Sequence, residues 1–289
     1  MNIFTIGIVS ISSILPRAQL DLGTNALVQA GYRVKVAPNV VGPAVAPADE
    51  RARLLEEFWL DPEIDLLLFS RGGEGAADVV PLLDWDALRA RPDLPAVGFS
   101  DVTVLLNAML EKGVGHPISG PMLSYAGRLT PEAREWFRAV LAEAPLPPVR
   151  LDVLHAAGGG GASGLPMGGH LTRLHWLWRN GLLPSAKGRV VFVECTAKYP
   201  PSQVRQCLEE LRGGGAFAGA SAVVLCDFRH TGADRAELDA FLPEFASSLT
   251  CPVFSGFPYG HIPGILALDF RRHLAITPDG TLAWPAPAR

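Results

Sequence analysis

Three residues stand where side chains can do chemistry: Ser100, Glu194 and His261, each at or just beyond the end of an apolar run. Ser100 follows Pro95-Ala96-Val97-Gly98-Phe99, which reads as a short buried strand. It precedes Val102, Leu105, Leu106, Met109 and Leu110, whose i, i+3, i+4, i+7, i+8 spacing places them on one face of a helix. A serine at such a turn projects its hydroxyl above the strand's carboxyl end, and the helix amino terminus behind it offers N–H groups and a positive dipole to a developing oxyanion. This is a nucleophile-elbow arrangement, although G-x-S-x-G is incomplete because Val102 replaces the second glycine. Helix capping by Ser100 or Asp101 is the other reading of the same residues. Glu194 closes the strand Val190-Val191-Phe192-Val193, where a carboxylate costs free energy without a partner, so it is either a functional acid or half of a strand-end ion pair. His261 lies in a glycine- and proline-framed loop, of the kind that places functional side chains.

The elements that must position these residues alternate between strand and helix signals. Residues 3–9, 33–37, 64–69 and 95–99 read as strands, and 19–30, 51–60 and 102–110 as helices, which implies parallel pairing through helical crossovers. The third strand runs into Ser70-Arg71-Gly72-Gly73-Glu74-Gly75, a glycine-rich loop on the sheet edge where ligands bind. Dinucleotide binding is disfavoured there, because G-x-G-x-x-G is missing and the loop does not follow the first strand. Residues 116–122 read as a further strand, and Thr130-Pro131-Glu132 opens a helix with a cap, a proline at its first position and an early acid. Proline- and glycine-rich residues 146–166 read as a linker, dividing the chain into domains 1–145 and 167–289. The second half offers helices at 171–178, 201–211 and 235–249, strands at 189–193, 222–226 and 252–255, and antiparallel strands in the tail. His170 and His175 lack nearby acidic or cysteine partners at ligand spacing and read as structural.

Composition bounds the class. At 289 residues, 48% hydrophobic and 19% charged, the chain is that of a two-domain globular enzyme. A net charge of -4 provides no basic footprint for nucleic acid. No segment reaches the roughly 18 uninterrupted apolar residues of a membrane span, so no membrane partner is expected. Cys195, Cys207, Cys226 and Cys251 form no C-x-x-C pair and read as buried free thiols of a cytoplasmic protein, with no metal site.

Taken together, the opening strand, Ser70-Arg71-Gly72-Gly73-Glu74-Gly75, Gly98-Phe99-Ser100-Asp101-Val102-Thr103, Ser119-Gly120-Pro121-Met122, Gly168-Gly169-His170-Leu171, Phe192-Val193-Glu194 and Gly260-His261 resemble the LD-carboxypeptidase family of serine peptidases over nearly the whole chain. The resemblance implies an α/β fold, with an N-terminal parallel-sheet, flavodoxin-like domain, a smaller mixed α/β C-terminal domain and an active site at their interface. It implies that Ser100 is the nucleophile, His261 its base and Glu194 the acid that orients the histidine. The Asp101 amide, with that of Gly73 or Gly72, would form the oxyanion hole. Gly72, Glu74 and Ser119 would line the substrate pocket; the last two stand where the family usually carries tyrosine and histidine. The implied substrate is a small peptide, the murein tetrapeptide, losing its terminal D-alanine in cell-wall recycling without a cofactor, and the family's habit implies a homodimer. Two alternatives accompany this: a microcin C self-immunity-like hydrolase of aminoacyl-nucleotides, with Trp176 and Trp178 stacking a base, and a catalytically silent small-ligand-binding module.

Overall fold

The computed structural model describes residues 5–285, so Ile3 and Phe4 of the expected first strand lie outside the described residues. The chain divides into two units, Met1–Glu143 with Leu266–Asp269, and Ala144–Ile265 with Phe270–Arg289.

In the first unit, strands β1 (Thr5–Val9), β2 (Arg33–Val36), β3 (Leu66–Phe69), β4 (Pro95–Gly98) and β5 (His116–Ser119) alternate with helices α1 (Arg17–Gln29), α2 (Ala48–Leu60), the single turns α3 (Ala76–Val79) and α4 (Trp85–Leu88), and α5 (Thr103–Lys112); α6 (Pro131–Leu141) follows. The five strands are parallel in the order β2-β1-β3-β4-β5, the doubly wound order of flavodoxin-like sheets, with its switch point between β1 and β3. β1, β3, β4 and β5 are buried throughout, as expected of parallel strands covered on both faces. The spacing in α5 predicts one apolar face; instead every residue from Thr103 to Met109 is buried. A short strand from far along the chain, Leu268–Asp269, adds antiparallel to β5.

The second unit is mixed α/β, as expected, and only slightly shorter than the first. Its strands are β6 (Val149–Arg150), β7 (Asp152–His155), β8 (Ala162–His170), β9 (Arg189–Thr196), β10 (Ala222–Arg229) and β11 (Val253–Ser255); counting Leu268–Asp269 as β12, they end with β13 (Leu274–Ile276) and β14 (Thr281–Ala283). β8 to β11 run parallel, while β7 and the β13-β14-β6 ribbon join antiparallel at the two ends. Helices α7 (Leu171–Arg179), α8 (Pro201–Gly213) and α9 (Gly232–Ser247) connect the parallel strands. Residues 146–166, expected as linker, hold β6, β7 and the start of β8. The tail divides as well, β12 pairing in the first unit's sheet and β13 and β14 in the second's. Val190, Phe192, Val193, Val223, Val224, Val253 and Phe254 make the floor of this core. Cys195, Cys207 and Cys251 are buried, Cys226 is half-buried, and all four are free.

Candidate active site

The first unit gathers its chemistry at the carboxyl ends of β1, β3 and β4. Ser100 has φ 62°, a left-handed conformation that is uncommon outside glycine and clusters at functional sites. An N-cap takes β-region angles instead, and neither of the cap positions here, Phe99 and Val102, makes a side-chain cap bond. The capping alternative is therefore replaced by an elbow. Asp101 is buried, and its Oδ2 accepts hydrogen bonds from Ser12 Oγ at 2.7 Å and from the Ala76 amide at 2.9 Å.

The glycine loop rests on this elbow. A Cβ on Gly72 would lie 2.8 Å from Ser100 Cβ, 2.9 Å from its Oγ and 3.4 Å from the Asp101 nitrogen, and one on Gly73 would fall 2.0 Å from the Ser13 hydroxyl. Only glycine lets the loop backbone come so near the serine. Glu74 is exposed, whereas Ser119 is fully buried at the end of β5, in register with Gly98 and Leu268.

In the second unit, Glu194 is wholly buried on β9 and its Oε2 lies 3.0 Å from His261 Nδ1. The strand-end ion pair considered from the sequence is thus a carboxylate–imidazole pair. Burial pushes the Glu194 carboxyl above its ordinary pKa, and the His261 hydrogen bond pulls it part of the way back. A carboxylate on Nδ1 holds the tautomer in which Nε2 carries the lone pair, the form a general base needs. Hydrogen bonds to its carbonyls fix the loop: the Asp227 amide donates to Tyr259 O at 3.1 Å and the Arg229 guanidinium Nη1 to His261 O at 2.6 Å.

His170, read as structural, sits against this pair. Its ring meets His261 edge-on with centroids 5.7 Å apart and Tyr199 at 5.5 Å, and its Nδ1 is 3.0 Å from Thr172 Oγ1. Burial, aided by the nearby His261 charge, lowers its pKa to about 3, so it stays neutral. Asp227, half-buried at the irregular step of β10, has its carboxyl pushed up by burial and opposed by Arg229 and His261. Sequence reasoning missed both because His170 reaches the pair through the pairing of β8 with β9 and Asp227 through its contact with the Tyr259–Gly260 loop; the G-G-H run closing β8 was the one visible signal. His175 instead pairs with Glu210 of α8 at 2.7 Å.

Both halves of the chain match one family. A model of the LD-carboxypeptidase N-terminal domain matches residues 6–119, and one of the LD-carboxypeptidase C-terminal domain matches residues 163–276. The chain belongs to the LD-carboxypeptidase family. Among relatives, the murein tetrapeptide carboxypeptidase of Pseudomonas aeruginosa is 28% identical over 226 residues, covering 74% of this chain and 72% of its own. The microcin C7 self-immunity protein MccF of Escherichia coli is 26% identical and covers 80% of this chain and 76% of its own. The crystal structure of muramoyltetrapeptide carboxypeptidase from Oxalobacter formigenes superposes with a TM-score of 0.85 at 25% identity, covering 97% of each chain. Both matched LD-carboxypeptidase segments contain chemistry described above: Ser100 with its glycine loop in the first, Glu194 with His261 in the second. No helix of the described residues is long and apolar enough to cross a membrane, and among them no group of three His, Cys, Asp or Glu is placed to hold a metal ion.

Proposed function

We propose that this chain is a serine carboxypeptidase that cleaves an L,D peptide bond, releasing the terminal D-alanine of the murein tetrapeptide during cell-wall recycling in the cytoplasm. Ser100 is the nucleophile, His261 the general base and Glu194 the acid that holds the imidazole. The observation that carries this reading is the buried Glu194 carboxylate 3.0 Å from His261 Nδ1. Family membership and the strained elbow at Ser100 support it.

The reaction follows from these roles. Ser100 Oγ attacks the scissile carbonyl while His261 takes its proton, and Glu194 stabilises the imidazolium without itself accepting that proton. The Asp101 amide, with that of Gly73 or Gly72, takes the oxyanion; losing one such donor costs about 10² to 10³ in rate. His261 then protonates the departing D-alanine amine, and water activated by the same imidazole frees Ser100 from the acyl-enzyme. Exposed Glu74 offers a carboxylate beside the glycine loop, suited to a substrate ammonium group.

D-alanine release from murein L,D-tetrapeptide tests the assignment. The wild-type chain is expected to release it, and Ser100→Ala to lose on the order of 10⁶ in kcat. No release from wild type, with hydrolysis of an aminoacyl-nucleotide instead, would move the reading to the microcin C self-immunity-like alternative. One structural detail weighs against nucleobase stacking on Trp178: its Nε1 donates to Gly214 O at 3.4 Å and its ring lies on that glycine.

A further inference from the structure

We propose that the carboxylate of Asp101, together with Ser12, is a positioning device that fixes the glycine loop against Ser100 and so sets the oxyanion geometry. This rests on the serine-hydrolase reading above and concerns a side chain, where that reading uses only the Asp101 amide.

A carboxylate that is 1% exposed is costly unless hydrogen bonds compensate it. Here a single oxygen, Oδ2, accepts from both Ser12 and Ala76, at distances typical of charge-assisted bonds. Neither bond is local: the partners lie 89 and 25 residues away. Ser12 belongs to the loop leaving β1, Ala76 ends the loop leaving β3, and Asp101 is the elbow leaving β4. One atom thus ties together three loops at the sheet's switch point.

The glycine loop is held at both ends. Where it begins, the Ser70 amide donates to Val9 O at 2.8 Å and Ser70 O accepts from the Ser124 amide at 2.9 Å. Where it ends, Ala76 is held by Asp101, and the buried guanidinium of Arg51 donates to Gly75 O at 3.0 Å and to Ile11 O. Between these anchors Gly72 has no clearance from Ser100. A shift of the Ala76 end therefore moves the loop amides relative to the serine, and misplacement by about 1 Å costs on the order of 10² in rate.

The test uses the full chain with Ser12→Ala and Ser12→Thr, and Asp101→Asn as a second site. Two rates are read: labelling of Ser100 by a small fluorophosphonate, in which Oγ bonds to phosphorus as fluoride leaves, and D-alanine release resolved into kcat and KM. Ser12→Ala is expected to slow labelling and lower kcat together by about 10- to 100-fold. KM should hold within about twofold and the thermal midpoint within a few degrees. Ser12→Thr, which keeps the hydroxyl, should restore both rates, and Asp101→Asn, which keeps one acceptor oxygen, should fall between. A folded Ser12→Ala chain that labels at the wild-type rate overturns the proposal. So does a loss that tracks the midpoint and is not rescued by threonine. Wild-type labelling without D-alanine release overturns the substrate assignment alone, since positioning is then judged on labelling. A wild-type chain that neither labels nor releases D-alanine overturns both.

Discussion

At Glu194 burial raises the folded-state pKa, and the sign of its effect on stability follows. A group raised in this way contributes stability below its unfolded pKa and loses it as pH rises through the folded value, so the ionised carboxylate weighs against the fold at neutral pH. Glu194→Gln is therefore expected to melt above wild type at pH 7, the difference closing toward pH 4, while D-alanine release falls by about 10³ to 10⁴ because an amide cannot stabilise the imidazolium. Thermal melts across that range, read beside activity, check this. A glutamine variant that is less stable at pH 7 and fully active would make Glu194 structural. His170 has the opposite sign: lowered from 6.5 to about 3, it contributes stability above pH 6.5 that is lost as pH falls toward 3. The wild-type acid response mixes the two, which is why the variant is the readout.

At the scale of elements, local signals were legible where local chemistry decides. Thr130, Pro131 and Glu132 predict a helix start, and Thr130 Oγ1 does accept from the Ala133 amide at 3.2 Å at the head of α6. Thr130→Ala should cost about 1 kcal/mol, seen as a lower urea midpoint at unchanged slope. An unmoved midpoint would mean that Pro131 and packing alone start the helix. Where partners are distant, the same reasoning failed. Residues 146–166 look like linker because glycine and proline have weak strand propensity, but β7 is made by pairing with β11 and β8 by pairing with β9. Likewise α5 presents one apolar face in sequence and is buried nearly all round, because the helices and loops that cover its other faces are not written in its periodicity.

Over the whole chain, the first unit is completed by four residues that follow most of the second in sequence. β12 pairs with β5, Asp269 Oδ1 lies 2.6 Å from His116 Nε2 with both side chains buried, and Trp136 Nε1 donates to Ala267 O at 3.0 Å. Breaking such a buried pair leaves one partner without compensation, so Asp269→Ala is expected to destabilise the first unit by about 3 kcal/mol. Faster hydrogen exchange at the β5 amides would register it; unchanged exchange there would mean that the returning strand is dispensable. The sequence by itself determined the parallel α/β character, the serine elbow, the acid near the end of β9 and the histidine loop, because each is a residue type at or near a strand or helix end, set by spacing within a few positions. Tertiary structure alone decided that Glu194 meets His261, that His170 packs on that histidine, that Asp101 reaches back to Ser12, and that Leu268–Asp269 leaves its neighbours to join the first sheet. Those are encounters between residues tens to hundreds of positions apart, and it is sheet order and burial that select them.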